Sequence, residues 1–599
     1  IRILSNLIPI FLVWSVISMF CAISHARTAS DANASETPAL VYSVHPLVFS
    51  YGGIEEGLPE LEELEKVFVD IGSSSIPLAD LLSAKGDALS LSAEDLFRLS
   101  EVALHFLKAE GYEGIVVFPE STQIDPITGK DLRLGDDTRL DLKVWVSRVE
   151  SVELDYQATD DKEDSRRIKR IERLLGNRLE EGAIVGQPLR DSFGRFVGRL
   201  GNHPGRSSNM LLLPGDEPGF VRALVRLRET QSRELILFAS NSGTETTGEW
   251  MAGGSFKEFQ LSGADDVIDL NWGFSDTLER KSARLGYRRP LVGIDVLELG
   301  LNFSYSNYDA SSFALTRIDF EGESKSADLE LSFKPFSFES SSYSLKFIAG
   351  LNVEETWAEN SLVSGRGEAQ FVSPRIGLSL KTEEKFSRSH TSLSLSGNVH
   401  RISTKDRTTL GGIDVEDRFE RLAFSHLRSF KIGQWLADTG IDFLDMPNPS
   451  RHNLIFKGQA DVGLKKVRHL PQRQFILGGT GSVRGYPESP AAGDDGYLVS
   501  LEYRMRLGGG IPMGNGEKFT ASLAPFCDFG ETFVNTPKSY ESDRQLAGAG
   551  IGLQLGLPFG GSARVDFAKP LKEIVNAGTV LDGTRSDDGR IHAMITWKF

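Results

Sequence analysis

"IHAMITWKF", residues 591–599, alternates strictly: Ile591, Ala593, Ile595, Trp597 and Phe599 share one face, and His592, Met594, Thr596 and Lys598 share the other. A period of two is the signature of a half-buried strand. The same period runs back through "LAGAGIGLQLGLP" (546–558), "GYLVSLEYRMRL" (496–507), "TSLSLSGNV" (391–399), "RIGLSLKTE" (375–383), "SYSLKFIAGLNV" (342–353), "ADLELSFKPF" (327–336) and "LELGLNFSYSNY" (297–308). A soluble sandwich would alternate too. Here the alternation persists from residue 235 to 599 without a second core, behind a secretory leader, and that combination favours a membrane barrel. At about 10 residues per strand the span predicts a large antiparallel transmembrane β-barrel of roughly 14 to 18 strands, about 16. Closure leaves no hydrogen-bonding edge exposed to lipid.

Composition agrees. The chain has 599 residues, 60 glycines, 36 phenylalanines and 40% hydrophobic residues, with a mean hydropathy of −0.19. That excludes a bundle of apolar helices, each of which needs a run of about 20 apolar residues. It leaves a barrel open, because lipid-facing and lumen-facing residues average out. A formal charge of −17 argues against nucleic acid as a partner, since phosphate neutralisation needs excess Lys and Arg. Cys21 and Cys527 are the only cysteines, and no Cys/His spacing suggests a metal or another cofactor. Neither a nucleophile elbow nor a phosphate-binding loop is present, so the sequence points to transport rather than an enzyme.

The one long apolar run opens the chain. Arg2, an apolar centre from Ile8 to Phe20 and small residues at Ser24 and Ala26 read as a signal peptide over 1–26. Residues 27–39 read as a linker. Two small α+β units are then predicted, over 40–148 and 149–230. In the first, "ALVYSVHPLVFSY" (39–51) reads as a strand and "LPELEELEKVFVDI" (58–71) as a helix. A stronger helix follows over 92–112, with Ser92 as N-cap and Asp95 three residues on. "GIVVFP" (114–119) and "LDLKVWVSRV" (140–149) return as strands. The second unit repeats the order, ending on "SNMLLL" (208–213), the turn "PGDEPG" (214–219) and "FVRALVRLR" (220–228).

Late in the chain, "GTGSVRGYPES" (479–489) sets Arg484 between Gly481 and Gly485, and "FCDFG" (526–530) follows. Four stretches carry a family resemblance. Val483, Arg484, Gly485 and Tyr486 resemble the signature of the long loop that folds back into the barrel in the superfamily that includes the barrel assembly proteins. Phe526, Asp528 and Gly530 resemble its partner motif on the barrel wall. "GNHPGRSSNMLLLPGDEPG" (201–219) is similar to the second periplasmic POTRA domain of the secretion branch, and Trp597 with Phe599 resembles the signal read during barrel insertion. The chain is thereby identified with the two-partner secretion outer-membrane transporters, the hemolysin secretion/activation family.

That resemblance implies tandem POTRA domains in the periplasm, followed by an outer-membrane pore that moves an unfolded secreted cargo protein to the cell surface without ATP. The partners it implies are the cargo, outer-membrane lipid and, during biogenesis, the barrel assembly machinery. Ser208, Asn209, Met210, Leu211, Leu212 and Leu213 are the expected cargo-binding edge, where an extended segment adds by main-chain bonds. Arg484 is expected to reach Asp528 as a charge-assisted fork, with Gly481 and Gly485 letting backbone approach the wall. An exchange of the two charges should then restore part of the function. An assembly or insertion factor of the same superfamily, and a passive porin-like barrel, are the alternatives.

Overall fold

The computed structural model describes residues 40–599 apart from 72–73, 84–85, 159–164, 177, 180, 295, 314–317, 336–342, 361–364, 412–413, 441–447, 514–516, 540 and 577–578. The expected signal peptide and linker lie outside the described residues. The chain divides into two units between Glu229 and Thr230.

The first unit contains two three-stranded sheets of one design. In the first sheet, Leu47–Tyr51 runs parallel to the central strand Leu140–Val146, and Ile115–Pro119 pairs antiparallel on its other side. In the second, Arg148–Ala158 runs parallel to the central Phe220–Glu229, and Arg206–Pro214 pairs antiparallel on its other side. The helix Ala93–Ala109 buries Leu96, Leu99, Ala103 and Leu107 against the first sheet. Its capping box forms as the sequence predicts: Ser92 Oγ accepts from Asp95 N–H at 3.2 Å, and the Asp95 carboxylate accepts from Ser92 N–H at 2.9 Å. Such a cap contributes about 0.5–2 kcal/mol.

Two local expectations are corrected. Residues 39–51 form two strands rather than one, Val41–Val44 paired with Leu89–Ser92 and Leu47–Tyr51 in the main sheet. Pro46 between them has no N–H for a continuous ladder. Residues 58–71 give only the 3₁₀ turn Leu61–Lys66 and then a strand, Phe68–Ile71, paired with Ser74–Pro77. Leu64 is the only buried residue of that turn, too little apolar surface to hold a longer helix in place.

The second unit is a closed barrel of 16 strands. These are β1 (Arg233–Ser240), β2 (Met251–Phe259), β3 (Val267–Ser275), β4 (Arg280–Val292), β5 (Leu297–Phe313) and β6 (Ile318–Phe333). Then come β7 (Tyr343–Asn360), β8 (Gly365–Glu383), β9 (Ser387–Gly397), β10 (Glu420–Phe430) and β11 (His452–Gly463). The last five are β12 (Asp495–Pro512), β13 (Lys518–Phe533), β14 (Arg544–Gly556), β15 (Gly561–Pro570) and β16 (Arg590–Lys598). Every neighbouring pair is antiparallel, and β1 closes on β16 from Ile236 opposite Lys598 to Ser240 opposite Met594. The near end of the barrel is the end at which β1 starts and β16 finishes.

Alternation decides what faces out. Leu329, Leu331, Phe347, Ile376, Leu501 and Phe567 are exposed on the outer face, Ile376 at 62% of its surface. Such a continuous apolar belt is stable only against lipid. The opposite parity carries Ser, Asn and charged side chains into the lumen. Phe599 is exposed, and its N–H donates to the Leu235 carbonyl at 2.8 Å. Trp597 stands between Leu237 and Gly561 at the same end.

Candidate functional site

The connection from β11 to β12, residues 464–494, returns into the barrel. Its stem is a short hairpin in which Phe475–Leu477 pairs with Ala491–Gly493. Asp494, fully buried, fixes that stem by accepting from His469 N–H and Asn535 N–H, both at 2.8 Å. The tip carries residues 478–490. Val483 and Tyr486 are fully buried and pack with Leu477, Ala491, Leu498, Leu546 and Ile574. The Tyr486 hydroxyl lies 2.6 Å from the Lys572 carbonyl and 2.9 Å from that of Ala547. The ring therefore anchors the tip by area and its oxygen by hydrogen bonding.

Arg484 is 7% exposed and Asp528, on β13, is fully buried. Arg484 Nε donates to Asp528 Oδ2 at 2.7 Å and Nη2 donates to Oδ1 at 2.8 Å, a bidentate fork. The Arg484 backbone N–H also donates to Asp528 Oδ2, at 3.1 Å. The remaining Nη1 donates to Glu502 Oε2 at 2.9 Å and to Asp566 Oδ2 at 3.4 Å. The guanidinium carbon sits 3.4 Å from the ring centroid of Phe526, a desolvated cation–π contact.

Asp528, Glu502 and Asp566 would be a costly cluster with one arginine. Two further arginines balance it: Arg504 Nε donates to Glu502 at 2.5 Å, and Arg564 donates to Glu502 at 2.7 Å and to Asp566 at 2.9 Å. Three carboxylates thus meet three guanidinium groups, the condition under which buried charge is tolerated.

The strand register assembles this set. Ser500 stands opposite Asp528 and Glu502 opposite Phe526, Asp528 opposite Gly548, and Asp566 opposite His592. Gly548 is the neighbour that makes room. A Cβ on it would lie 1.9 Å from the Arg484 carbonyl oxygen. Gly485 has φ +96°, and a Cβ there would lie 2.7 Å from the Lys569 carbonyl carbon, so both conformation and space require glycine. A Cβ on Gly530 would lie 2.8 Å from Leu477 Cδ1. Gly481 meets nothing within 4 Å and has no unusual φ, which corrects the expectation that it lets backbone approach the wall. It contributes its carbonyl to Lys457 Nζ at 2.8 Å.

Other groups at the site went unread in the sequence. Gly485 N–H donates to His592 Nε2 at 3.2 Å, and Thr480 Oγ1 lies 3.0 Å from Nδ1. Because Nε2 accepts, Nδ1 carries the proton and donates to Thr480. Ser500, Glu502, Gly548 and His592 lie on stretches whose alternation was legible, whereas Arg564 and Asp566 lie on β15, which was not read as a strand. The residues among them that meet the loop tip follow from the stagger between strands, which no local pattern gives.

Nearer the far end a second clamp holds the loop. Arg468 donates bidentately to Glu541 at 2.6 Å through both terminal nitrogens. Glu541 lies in the connection after β13, and this hydrogen bonding to Arg468, assisted by the Lys538 N–H, pulls its carboxyl from the ordinary 4.5 down to about 2 against the opposing effect of burial. A depressed carboxyl stabilises above its unfolded value and loses that stabilisation as pH falls through the folded one. Proteolytic protection of residues 534–543 should therefore stay constant from neutral pH to about pH 5 and disappear between about 4.5 and 2. Glu541→Gln should remove that pH dependence.

The expected cargo edge is placed as follows. Ser208 to Leu213 lie in Arg206–Pro214, an outer strand of the second sheet that pairs on one side with Phe220–Glu229. Ser208 Oγ donates to the Val197 carbonyl at 2.5 Å, and Asn209 is exposed. The alternating Arg222 and Arg226 of the central strand pair with Glu153 and Asp155 at 3.2 and 3.0 Å, an ion-paired sheet face.

A 16-strand barrel with a long loop locked inside it defines the class. The Omp85 superfamily domain matches residues 261–582, more than half of the chain, and the chain belongs to the Omp85 superfamily. An outer-membrane location follows from that barrel family. Among characterised proteins, the chain is similar to the heme/hemopexin transporter protein HuxB of Haemophilus influenzae strain ATCC 51907 / DSM 11121 / KW20 / Rd, 22% identical over 427 residues and covering 68% of each chain. HuxB of strain 86-028NP is 20% identical over 409 residues, covering 67% of each. In fold it resembles CdiB from Escherichia coli, with a TM-score of 0.60 at 15% identity over 98% of both chains. CdiB from Acinetobacter baumannii gives 0.54 at 15% identity over 99% of both. BamA from Haemophilus ducreyi lacking POTRA domains 1–3 gives 0.50 at 15% identity, over 94% of this chain and 100% of that one. HuxB is named as a transporter protein.

Proposed function

We propose that this chain is a two-partner secretion transporter: an outer-membrane pore that takes an unfolded partner protein from the periplasm and releases it at the cell surface without ATP. The observation that carries the reading is architectural. Two small α+β units of one design precede a single barrel, and this whole arrangement is coextensive with CdiB over 98% of both chains. The BamA structure that fits less well had already lost POTRA domains 1–3, whereas this chain carries two such sheets in all among its described residues. That difference favours export over barrel assembly.

In this reading the two units, over 40–148 and 149–230, are periplasmic POTRA domains, and the near end of the barrel faces the periplasm. The outer strand Arg206–Pro214 receives an extended cargo segment by main-chain hydrogen bonds, which provide affinity with little sequence demand. Folding of the cargo outside supplies direction. Trp597 and Phe599 serve as the insertion signal for the barrel assembly machinery.

Deleting residues 40–229 tests the reading. The truncated barrel should insert and conduct ions in a planar bilayer, yet no cargo should reach the medium. Continued secretion would overturn the assignment, and a failure to insert other barrel proteins would favour an assembly factor. Within the domain, Leu211→Pro removes one N–H donor from the outer strand. It should lower cargo crosslinking while the fold, checked by circular dichroism, is retained.

A further inference from the structure

We infer that the lumen wall of β4–β9 carries, toward the near end, a docking surface for acidic segments of a polypeptide in transit. The inference rests on the export reading and adds the chemistry of one stretch of the path. Outward-facing Leu329, Leu331, Phe347 and Ile376 fix the parity of this wall, so Arg288, Lys346, Lys381 and His390 project into the lumen. The register makes a patch of them. Lys346 stands opposite Ser379 and Lys381 opposite His390, while His390 Nε2 lies 2.9 Å from Ser379 Oγ. Lys334, Lys346 and Arg288 all act electrostatically on Lys381, with Glu298 as the facing carboxylate.

The patch stands out from the wall above it. Two lumen rows toward the far end from Lys346 and three from Lys381, on the row that Arg288 also occupies, Arg375 is neutralised by Glu330 at 2.8 Å and Asp328 at 3.5 Å, and beyond it the loop's Arg473 by Glu354 at 2.8 Å. Among the described residues, no carboxylate lies within the 4.0 Å ion-pair distance of Arg288, Lys346 or Lys381. In a chain of net charge −17 this is a local inversion of sign. A recess lined by one sign of charge with low-dielectric walls focuses its field on the opposite charge.

The occupant is argued from the side chains. Lysine is a flexible, strongly hydrated point charge and lacks the rigid fork of arginine. It suits brief contacts with carboxylates that move past, where a fork would hold them. Lys346 and Lys381 stand on neighbouring strands as diagonal neighbours, a spacing of about 7–8 Å, and alternate side chains of an extended peptide recur every ~6.7 Å, so an extended acidic segment meets both at once.

The probe is a short poly-glutamate peptide added to the near-end side of the full-length protein in a planar bilayer, with poly-glutamine as the neutral control. Poly-glutamate should block current through the wild type, and Lys346→Gln with Lys381→Gln should weaken that block by about tenfold. Lys346→Arg with Lys381→Arg should keep it, and poly-glutamine should block neither. Equal block of wild type and the Gln variant, or block by poly-glutamine, overturns the inference. Heat-modifiable gel migration checks that each barrel is folded. No cargo is present in this measurement, so its failure is separate from a failure of the export reading, which is decided by cargo in the medium.

Discussion

Arg484→Ala should leave an inserted barrel that no longer secretes. Among the described residues, Arg484 is the cation that hydrogen-bonds Asp528, through both Nε and Nη2. Without it Asp528 keeps the Ser500 hydroxyl at 2.6 Å but faces Glu502 and Asp566 with one positive charge fewer. Removing one member of a buried ion network costs about 3–5 kcal/mol, a shift of a hundredfold or more in the docking equilibrium of the loop. The strands lose little, since none of their ladder bonds involves the tip. Asp528→Ala should be milder, because Arg484 retains Glu502 at 2.9 Å and Asp566 at 3.4 Å. The exchange Arg484→Asp with Asp528→Arg is expected to fail, contrary to what a simple pair predicts. An aspartate at 484 would stand among Glu502 and Asp566. Secretion is read from cargo in the medium, insertion from heat-modifiable migration, and loop release from bilayer conductance. Normal secretion by Arg484→Ala would refute the lock.

Gly548→Val is expected to have an effect of similar size by a route that removes no charge. Its Cβ would stand 1.9 Å from the Arg484 carbonyl oxygen, so the loop tip and the new side chain exclude one another. Overpacking of this kind costs typically about 1–3 kcal/mol when the surroundings can shift. Here the tip is pinned by Tyr486 on one side and Asp528 on the other, so it should leave the wall as a unit. Gly485→Ala adds backbone strain of about 1–2 kcal/mol from its positive φ to a clash with Lys569. Gly481→Ala is the internal control, because nothing lies within 4 Å of that position. Conductance should rise and secretion fall for Gly548→Val and Gly485→Ala and stay at the wild-type level for Gly481→Ala. Three equal phenotypes would show that loop composition matters rather than fit against the wall.

Much of this was legible in the chain itself. Period-two alternation over 235–599 defined a barrel because side-chain parity is a local property of extended backbone. Ile591 and Ile595 could be assigned to lipid and His592 to the lumen from nine residues alone. The helix from Ala93 was legible from Ser92 and Asp95, since capping is settled within four residues. Where the local signals were split, the reading failed: Pro46 divides what looks like one strand, and the Glu-rich stretch at 60–66 lacks the buried surface for a full helix.

The tertiary structure alone decided which lumen-facing residues meet the loop tip. Arg484 and Asp528 are joined by motif, but Glu502, Asp566, Arg564 and His592 enter through the closure and stagger of β12 to β16, where a shift of two residues in one strand would bring a different side chain to the same place. Gly548 carries no signal of its own in a strand that already holds Gly550 and Gly552. Its role comes from standing opposite Asp528, because only the folded barrel sets the Arg484 carbonyl where any side chain would be.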